Sequence, residues 1–252
     1  MREHDESAVL DDYFDEPVAA RYDESSAEMF RPEVLDPTVE LLAELAGRGR
    51  ALEFAIGTGR VACPLAARGV EVHGIDLSPA MVSRLRAKPG GDAIGVTIGD
   101  IATTRVAGTF SLVYLVYNTI MNLTTQDAQV ECFRNAAAHL EPGGCFVIEV
   151  GVPDLRRLPP GQNAVPFRVD GERLGFDLYD TATQKMSSHH VRVTEGRGEY
   201  RAIPFRYVWP AELDLMARIA GLRLRDRWED WTRTPFTGES RRHVSVWEKP
   251  AG

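Results

Sequence analysis

The chain is short of positive charge and has almost no lysine, which occurs only at positions 88, 185 and 249. Its 29 basic and 37 acidic residues give a net charge of -8, and the sequence pI is near 5.3. Proteins that bind polyanions need clustered lysine and arginine to neutralise phosphates. We therefore expect no nucleic-acid partner.

Cysteine and long apolar runs are also scarce. The three cysteines, Cys63, Cys132 and Cys145, lack the spacing of a metal site and cannot form a disulfide framework. We therefore predict no bound metal. No run of 18 apolar residues is present, and the N-terminus is charged, unlike a signal peptide. These absences predict no membrane partner and a reducing, cytoplasmic setting.

From residue 50 onward, apolar strand-like segments alternate with helical patterns, and this predicts an α/β fold with a doubly wound, mostly parallel sheet. Ser78 and Pro79 together form a strong signal for the start of a helix. Two helical patterns precede the sheet, at 8–23 and 33–46. The predicted strands are 50–56, 70–76, 94–98, 110–117 and 145–150, and the other predicted helices are 60–68 and 125–140.

The pattern changes at residue 151. Residues 165–208 contain period-two segments separated by turn signals, which predict an antiparallel ribbon of three or four strands. A helix from Pro210 to Gly221 follows, and the segments 222–230 and 241–248 are predicted to close the main sheet as a hairpin, giving seven strands. We therefore divide the chain into a helical cap (1–48), a core (49–150 and 209–252) and a β-rich insert that covers the site (151–208).

The most informative motif is the segment from Ala51 to Arg60, which contains Gly57-Thr58-Gly59, followed 17 residues after Gly59 by Asp76. It is typical of a buried strand that ends in a glycine turn and opens a helix. Glycines allow a backbone to approach a ligand closely, and an acid at the end of the next strand can hold a ribose diol. The motif predicts a nucleoside-containing cofactor, and on its own it also fits a nicotinamide-binding unit.

Three further features argue against a nicotinamide fold. Glu53 is an acid inside the first strand, and a buried acid needs a partner such as a cationic amine or backbone N–H groups. Gly99-Asp100 follows the third strand, where a short carboxylate can accept from an adenine amino group. The terminal hairpin is a topology that nicotinamide folds rarely use.

With these motifs, the chain resembles the class I S-adenosylmethionine-dependent methyltransferases over about 45–150 and 209–248, which implies a Rossmann-like methyltransferase fold. The motifs that carry the resemblance are Leu52-Glu53-x-Ala55-x-Gly57-x-Gly59, Gly74-Ile75-Asp76-Leu77-Ser78-x-x-Met81, Gly99-Asp100-Ile101 and Leu140-x-Pro142-Gly143-Gly144. The family's first strand often ends Asp-x-Gly-x-Gly-x-Gly. Here Glu53 replaces the Asp and Ala55 replaces the first Gly.

The resemblance implies S-adenosylmethionine as the cofactor and a role for each matching residue. Glu53, Ala55, Gly57 and Gly59 would form the methionine end of the site. Asp76 would hold the ribose. The remaining implied cofactor residues are Leu77 and Met81 beside adenine, Asp100 and Ile101 at its edge, Val116 near the end of the fourth strand, and Tyr22 in the N-terminal region that covers the cofactor in this family.

Candidates for the acceptor side lie where parallel strands end and in the insert, which resembles the substrate-covering insert of small-molecule N- and O-methyltransferases, amino-sugar enzymes among them. We consider Glu149, His190 and Tyr117 as catalytic groups. Adjacent strand residues face opposite ways, so at most one residue of the His189–His190 pair is expected to face a pocket. The candidate acceptor-binding residues are Tyr117, Asn118, Asn122, His189 and Tyr207.

The sequence thus predicts transfer of a methyl group to an N or O atom of a small metabolite. Two alternatives remain open from the residues alone: a nicotinamide-dependent oxidoreductase, and a non-catalytic scaffold that binds the cofactor. The insert is also a candidate homodimer contact, and its aromatic residues fit either a pocket lining or the buried face of a sheet.

Overall fold

A computed structural model describes residues 15–194 and 196–251 of the chain. Within this part it contains two sheets and seven α-helices. The strands are β1 Arg50–Phe54, β2 Glu71–Asp76, β3 Gly95–Ile98, β4 Phe110–Leu115, β5 Leu140–Gly151, β6 Ala164–Val169, β7 Arg173–Tyr179, β8 Lys185–Thr194, β9 Arg197–Arg206, β10 Arg223–Trp228 and β11 Arg242–Glu248. The helices are α1 Glu16–Ala19, α2 Tyr22–Ser25, α3 Pro32–Ala46, α4 Ala62–Ala67, α5 Pro79–Arg86, α6 Gln126–His139 and α7 Pro210–Ile219.

The larger sheet has seven strands in the order β10-β11-β5-β4-β1-β2-β3. Its strands pair in parallel from β3 to β5, whereas β11 runs antiparallel to β5 and β10 runs antiparallel to β11. The predicted doubly wound, mostly parallel sheet with a closing hairpin is confirmed. No helix of the described residues is both long enough and apolar enough to span a membrane.

Both faces of this sheet are buried, which is why β4 is almost wholly apolar and why residues 51–54 of β1 are all buried. Leu52 and Phe54 of β1 pack into the cluster that contains Phe133 of α6 and Met216 of α7. Ala51 of the same strand faces the opposite cluster, which includes Leu42 of α3, together with Leu65 and Leu85 of α4 and α5. The helices therefore fall on the two sides that a doubly wound sheet requires.

Several predicted boundaries differ from the structure, and three of them concern strands of the parallel part of the sheet. The first strand ends at Phe54 instead of residue 56 because Ala55 takes a positive φ of 55°, and β4 ends at Leu115 because Tyr117 does the same. Strand β5 begins at Leu140, not at 145, and Leu140 pairs with Phe110.

The helix predicted over 8–23 lies partly outside the described residues. From residue 15 onward, α1 and α2 replace the single helix that was expected, and a break at residues 20 and 21 separates them. The side chain of Asp15 caps α1 by accepting from the N–H of Val18 at 3.1 Å.

The insert forms a separate four-stranded antiparallel sheet in the order β6-β7-β8-β9. Val165, Tyr179, Met186 and Tyr207 form its buried cluster, which packs against Met121 in the turn that follows β4. This contact holds the insert at the carboxyl end of the parallel strands. Of the turns predicted in the ribbon, Asp170-Gly171 joins β6 to β7, while Glu195 lies outside the described residues.

A buried polar network anchors the insert to the core. Arg206 at the end of β9 donates to Oε1 of Gln129 at 2.5 Å and to Glu212 of α7 at 2.7 Å. The Nε2 group of Gln129 donates to the carbonyl oxygens of Ile120 and Arg206, each at 3.1 Å. A buried cation is stable only when its partners are in place, so Gln129 supports both the charge and the turn beneath the insert.

We expect Gln129→Leu to lower the free energy of unfolding by about 2–4 kcal/mol, because it removes a partner from a buried guanidinium and from two carbonyl oxygens. Denaturant unfolding monitored by tryptophan fluorescence measures the loss. Gln126→Leu on the same helix is the matched control, since Gln126 is exposed, and should cost about 0.5 kcal/mol or less. Equal losses in the two variants would show that the buried network does not anchor the insert.

Candidate active site

The glycine loop lies between β1 and α4, at the carboxyl end of the sheet. Ala55, Gly57 and Gly59 all have positive φ angles, of 55°, 55° and 75°. A Cβ on Gly59 would lie 2.9 Å from Sγ of Cys63 and 2.9 Å from Cγ of Leu85. Gly59 therefore allows α4 and α5 to pack closely. A Cβ on Gly57 would make only ordinary contacts, so this part of the backbone is accessible to a ligand.

Asp76 at the end of β2 holds this loop in place. Its Oδ2 accepts from the N–H of Gly57 at 2.6 Å, and its Oδ1 accepts from the N–H of Ser78 at 2.8 Å. Burial raises the pKa of Asp76, and these backbone N–H groups oppose that rise. Each carboxylate oxygen has a second lone pair, so the group can brace the loop and still accept from a diol.

Glu53 is buried directly beneath the loop. The hydroxyl of Tyr114 donates to its Oε2 at 2.9 Å, and the backbone N–H of Ala62 also interacts with it. Burial raises the pKa of Glu53 to about 8. Of the two kinds of partner expected for this acid, the described residues supply a backbone N–H group, and they add a phenol that the sequence reasoning missed.

The residues assigned to adenine divide into exposed and buried groups. Leu77 and Asp100 are exposed, and Oδ1 of Asp100 accepts from the N–H of Ala102 at 2.8 Å. Met81 and Ile101 are buried, with Ile101 packed in the core cluster of the α6 side. Leu77 and Asp100 therefore offer surfaces to a ligand, while Met81 and Ile101 support the loops from below.

A second turn of positive φ angles follows β4 and Val116. Tyr117 and Asn118 have φ angles of 59° and 61°, a conformation that is costly for residues other than glycine. Glu149 of β5 holds this turn: its Oε2 accepts from the N–H of Tyr117 at 3.1 Å, and its carbonyl oxygen accepts from the N–H of Asn118 at 3.2 Å. The N–H of Gly151 donates to Oδ1 of Asn118 at 2.7 Å.

The N-terminal segment fastens onto the glycine loop through contacts that the sequence reasoning missed. Asp23 of α2 accepts from the hydroxyl of Thr58 at 2.5 Å and pairs with Lys88 at 2.5 Å. Arg60 lies with its guanidinium carbon 5.5 Å from the centre of the Tyr117 ring. The sequence held one indication of these contacts: Lys88 is one of only three lysines, so its position could have been singled out.

Tyr22, the cofactor residue expected from the N-terminal region, lies in the same neighbourhood. Burial raises its pKa to about 12, Tyr117 and Asp76 add to the rise, and Arg60 opposes it. The structure therefore brings Tyr22 close to both the glycine loop and the Tyr117 turn.

The two histidines of the insert face opposite sides of its sheet, as strand alternation requires. His190 lies beside Ser188 and the ring of Phe167, and desolvation lowers its pKa. His189 stacks on Phe176 with ring centres 4.7 Å apart. Within the described part of the chain, neither histidine contacts Glu149 or Tyr117.

The other two acceptor-side candidates belong to different surroundings. Tyr207 is buried in the base of the insert, where its ring packs against Tyr179 and Trp209. Asn122 lies in the turn Thr119–Asn122, below the insert. Among the described residues, no group of three or more histidine, cysteine, aspartate or glutamate residues is arranged to hold a metal ion.

Comparisons with known proteins agree with this geometry. Residues 51–144 match a family model described as a methyltransferase domain. The solved CcbJ methyltransferase from Streptomyces caelestis is 38% identical with a TM-score of 0.75, over 85% of this chain and 89% of that one. The cypemycin N-terminal methyltransferase of a Streptomyces species is 27% identical over 240 residues, 90% of this chain and 97% of that protein.

The fold alone is shared with a more distant enzyme. An amino-pentose methyltransferase of calicheamicin biosynthesis from Micromonospora echinaspora, solved with S-adenosylmethionine bound, has a TM-score of 0.64 at 22% identity, over 87% of this chain and 91% of that one. Together with the match to CcbJ, these findings decide against the nicotinamide alternative. The chain belongs to the S-adenosylmethionine-dependent methyltransferases, and S-adenosylmethionine is its cofactor.

Proposed function

We propose that the enzyme transfers the methyl group of S-adenosylmethionine to a nitrogen or oxygen atom of a small metabolite. The observation that carries this proposal is a pair of turns at the carboxyl end of the sheet. The glycine loop follows β1 and is held by Asp76, and the Tyr117 turn follows β4 and is held by Glu149. The similarity to the cypemycin N-terminal methyltransferase supports an amine as the first acceptor to test.

The residues present fit the cofactor. A Cβ on Gly57 would meet nothing nearer than the Met81 Cε atom at 3.4 Å, so the loop leaves room for a close ligand. Asp76 retains lone pairs for the ribose hydroxyls. We assign Glu53, Ala55, Gly57 and Gly59 to the methionine end, with Tyr22 and Val116 beside it. We assign Leu77 and Asp100 to adenine, with the buried Met81 and Ile101 supporting the loops that carry them.

The protein's contribution to the chemistry is positioning and exclusion of water. When bound, S-adenosylmethionine supplies a sulfonium methyl whose C–S bond breaks as the acceptor lone pair forms the new bond. We assign Tyr117 and Asn118 to orient the acceptor, with Asn122 and the insert residue Tyr207 completing its site; His189, the other candidate of the insert, lies on its outer face. Glu149 or His190 would take the acceptor proton, and His190 is favoured as neutral by its lowered pKa.

We propose that the insert (151–208) is the lid of this site, and that the cap (1–48) and the core (49–150 and 209–252) form the rest of the cofactor-binding unit. The outer face of the insert also suits a homodimer contact. Leu174, Phe176, His189, Val193 and Tyr200 share that face, and it carries no charged side chain at these positions. An exposed apolar face of this kind is stabilised when a second copy of the chain packs on it.

Sedimentation velocity of the intact chain tests the homodimer contact. It should report twice the monomer mass, and a monomer at all concentrations would exclude the contact.

Transfer of label from methyl-labelled S-adenosylmethionine to a panel of amino sugars, peptides with free N-termini, and phenols tests the function. We expect a labelled product from at least one amine or hydroxyl class, formed together with S-adenosylhomocysteine. The control is the accepted amine in its N-acetylated form, whose nitrogen lone pair is no longer available to accept the methyl group. Cofactor binding with no transfer to any member of the panel would contradict a small-metabolite acceptor.

Two variants of Glu149 distinguish a general base from a residue that only holds the Tyr117 turn. Glu149→Gln keeps an oxygen that can accept from the N–H of Tyr117 but cannot take a proton, whereas Glu149→Leu removes both capacities. If Glu149 only holds the turn, the Gln variant should keep kcat within about threefold, while the Leu variant loses about tenfold or more, as a disrupted active-site geometry does. The same loss of kcat in both, with an unchanged KM, would instead identify Glu149 as the base.

A further inference from the structure

One face of the insert sheet, its inner face, covers the place where β4 and β5 end. Tyr179 and Met186 lie on this face and belong to a cluster that packs against Met121, in the turn after β4, and Leu155, which follows β5. Alternate residues of a strand share one face of its sheet. The inner face therefore continues along β7 from Tyr179 to Asp177, which pairs with β8 two positions before Tyr179 does.

Asp177 stands in the middle of a row of residues that crosses the inner face. Its neighbours in the row are Val165 on β6, Ser188 on β8 and, beyond Ser188, Ile203 on β9. These three neighbours are only 3%, 7% and 7% exposed, and Asp177 itself is half-buried. The row thus holds a carboxylate among covered residues, and the desolvation raises its pKa.

Among the described residues, no arginine or lysine forms an ion pair with Asp177. The hydroxyl of Ser188 donates to its carboxylate, and the charged groups that act on it are His190 and His189. Desolvation lowers the pKa of His190, so its ring is largely neutral at pH 7 and supplies little charge. A carboxylate has about four lone-pair sites, so Asp177 can accept further hydrogen bonds. A partly desolvated anion of this kind favours a cationic ligand.

An open aromatic ring lies on the same face, farther from the core. A Cβ on Gly175 would lie 2.3 Å from Cε2 of Phe167, so the glycine makes room for the Phe167 ring across its backbone. The ring is 5.3 Å from the ring of His190 and remains 46% exposed. The inner face therefore presents a carboxylate and an aromatic surface together. A cationic group on a carbon skeleton that can lie against a ring fits both.

We propose that Asp177 binds a protonated amine of the acceptor, while the carbon skeleton of the acceptor contacts Phe167. This inference rests on the proposed function and narrows it to acceptors that are cationic at pH 7, which excludes phenols and simple alcohols. The role of Asp177 is recognition of the acceptor. An ammonium group must lose a proton before its nitrogen can attack the methyl group, and Glu149 or His190 would accept that proton.

Steady-state kinetics of Asp177→Asn with the accepted amine tests this role. The substitution keeps the size of the side chain and removes its charge. We expect KM for the amine to rise about 10- to 100-fold, the range for loss of hydrogen bonds to a charged group. The value of kcat should stay within about threefold, because the interaction is made before the transition state as well as in it. Calorimetric titration with S-adenosylhomocysteine should give an unchanged affinity, whereas a disrupted fold would weaken it.

A matched variant and a matched ligand serve as controls. Glu199→Gln removes the same charge from an exposed position of the insert sheet, opposite Arg192, and should change KM by less than about twofold. The N-trimethylated form of the accepted amine is a permanent cation that cannot accept a methyl group. It should compete with the amine in the wild type, and its inhibition should weaken in Asp177→Asn by about the same factor as KM rises.

Four results would overturn the role of Asp177 and leave methyl transfer to another acceptor standing. They are transfer to phenols but to no amine, an unchanged KM in Asp177→Asn, an equal rise of KM in Glu199→Gln, and no competition by the trimethylated amine. The last of these needs only the wild-type protein, so it decides the question even if Asp177→Asn does not fold. Failure of the wild type to bind S-adenosylhomocysteine, or to methylate any member of the panel, would overturn the proposed function and this inference with it.

Discussion

The carboxylate of Asp76 joins the two strands on which the site is built. It belongs to β2, yet it accepts from the backbone N–H of Gly57, which follows β1. Three residues of the loop have positive φ angles, and a backbone of this kind keeps its shape only when the surroundings hold it. The bond to Asp76 is short and buried, so it is stronger than the same contact would be in water. The glycine loop, the start of α4 and the space above them all depend on it.

The opposite side of the site repeats this arrangement. Tyr117 and Asn118 also adopt positive φ angles, and again a carboxylate from the neighbouring parallel strand, Glu149, accepts from the backbone of the turn. Two strained turns thus face the same region, each braced by an acid from an adjacent strand. Strain concentrated at such places is typical of functional sites. A rigid pair of turns suits a reaction in which the protein mainly holds two reactants in line.

Much of the core could be predicted from the sequence because its signals are local. The helix start at Ser78 is confirmed, with the Ser78 side chain accepting from the N–H of Met81 at 3.2 Å. The order of strands and helices, the closing hairpin and the four-stranded insert follow from period and turn chemistry. The strand ends at Ala55 and at Tyr117 were missed, since no propensity rule predicts positive φ at alanine or tyrosine.

The partners within the site were harder to foresee because they come from distant parts of the chain. Tyr114 meets Glu53 across 61 positions of sequence, and Asp23 meets Thr58 across 35. These pairings depend on the register of the sheet and on how the N-terminal segment folds back, neither of which leaves a local pattern. His189 and His190 were singled out by residue type alone. The structure places them in the insert sheet, with aromatic and hydroxyl neighbours.

The central claim is that the glycine loop and Asp76 hold S-adenosylmethionine in the manner of a methyltransferase. Isothermal titration of the purified chain with S-adenosylmethionine and, separately, with NADH tests it most directly. We expect saturable binding of S-adenosylmethionine at a single site and no heat of binding with NADH. Binding of NADH alone would contradict the methyltransferase assignment, and Asp76 would then be assigned to the ribose of a nicotinamide cofactor.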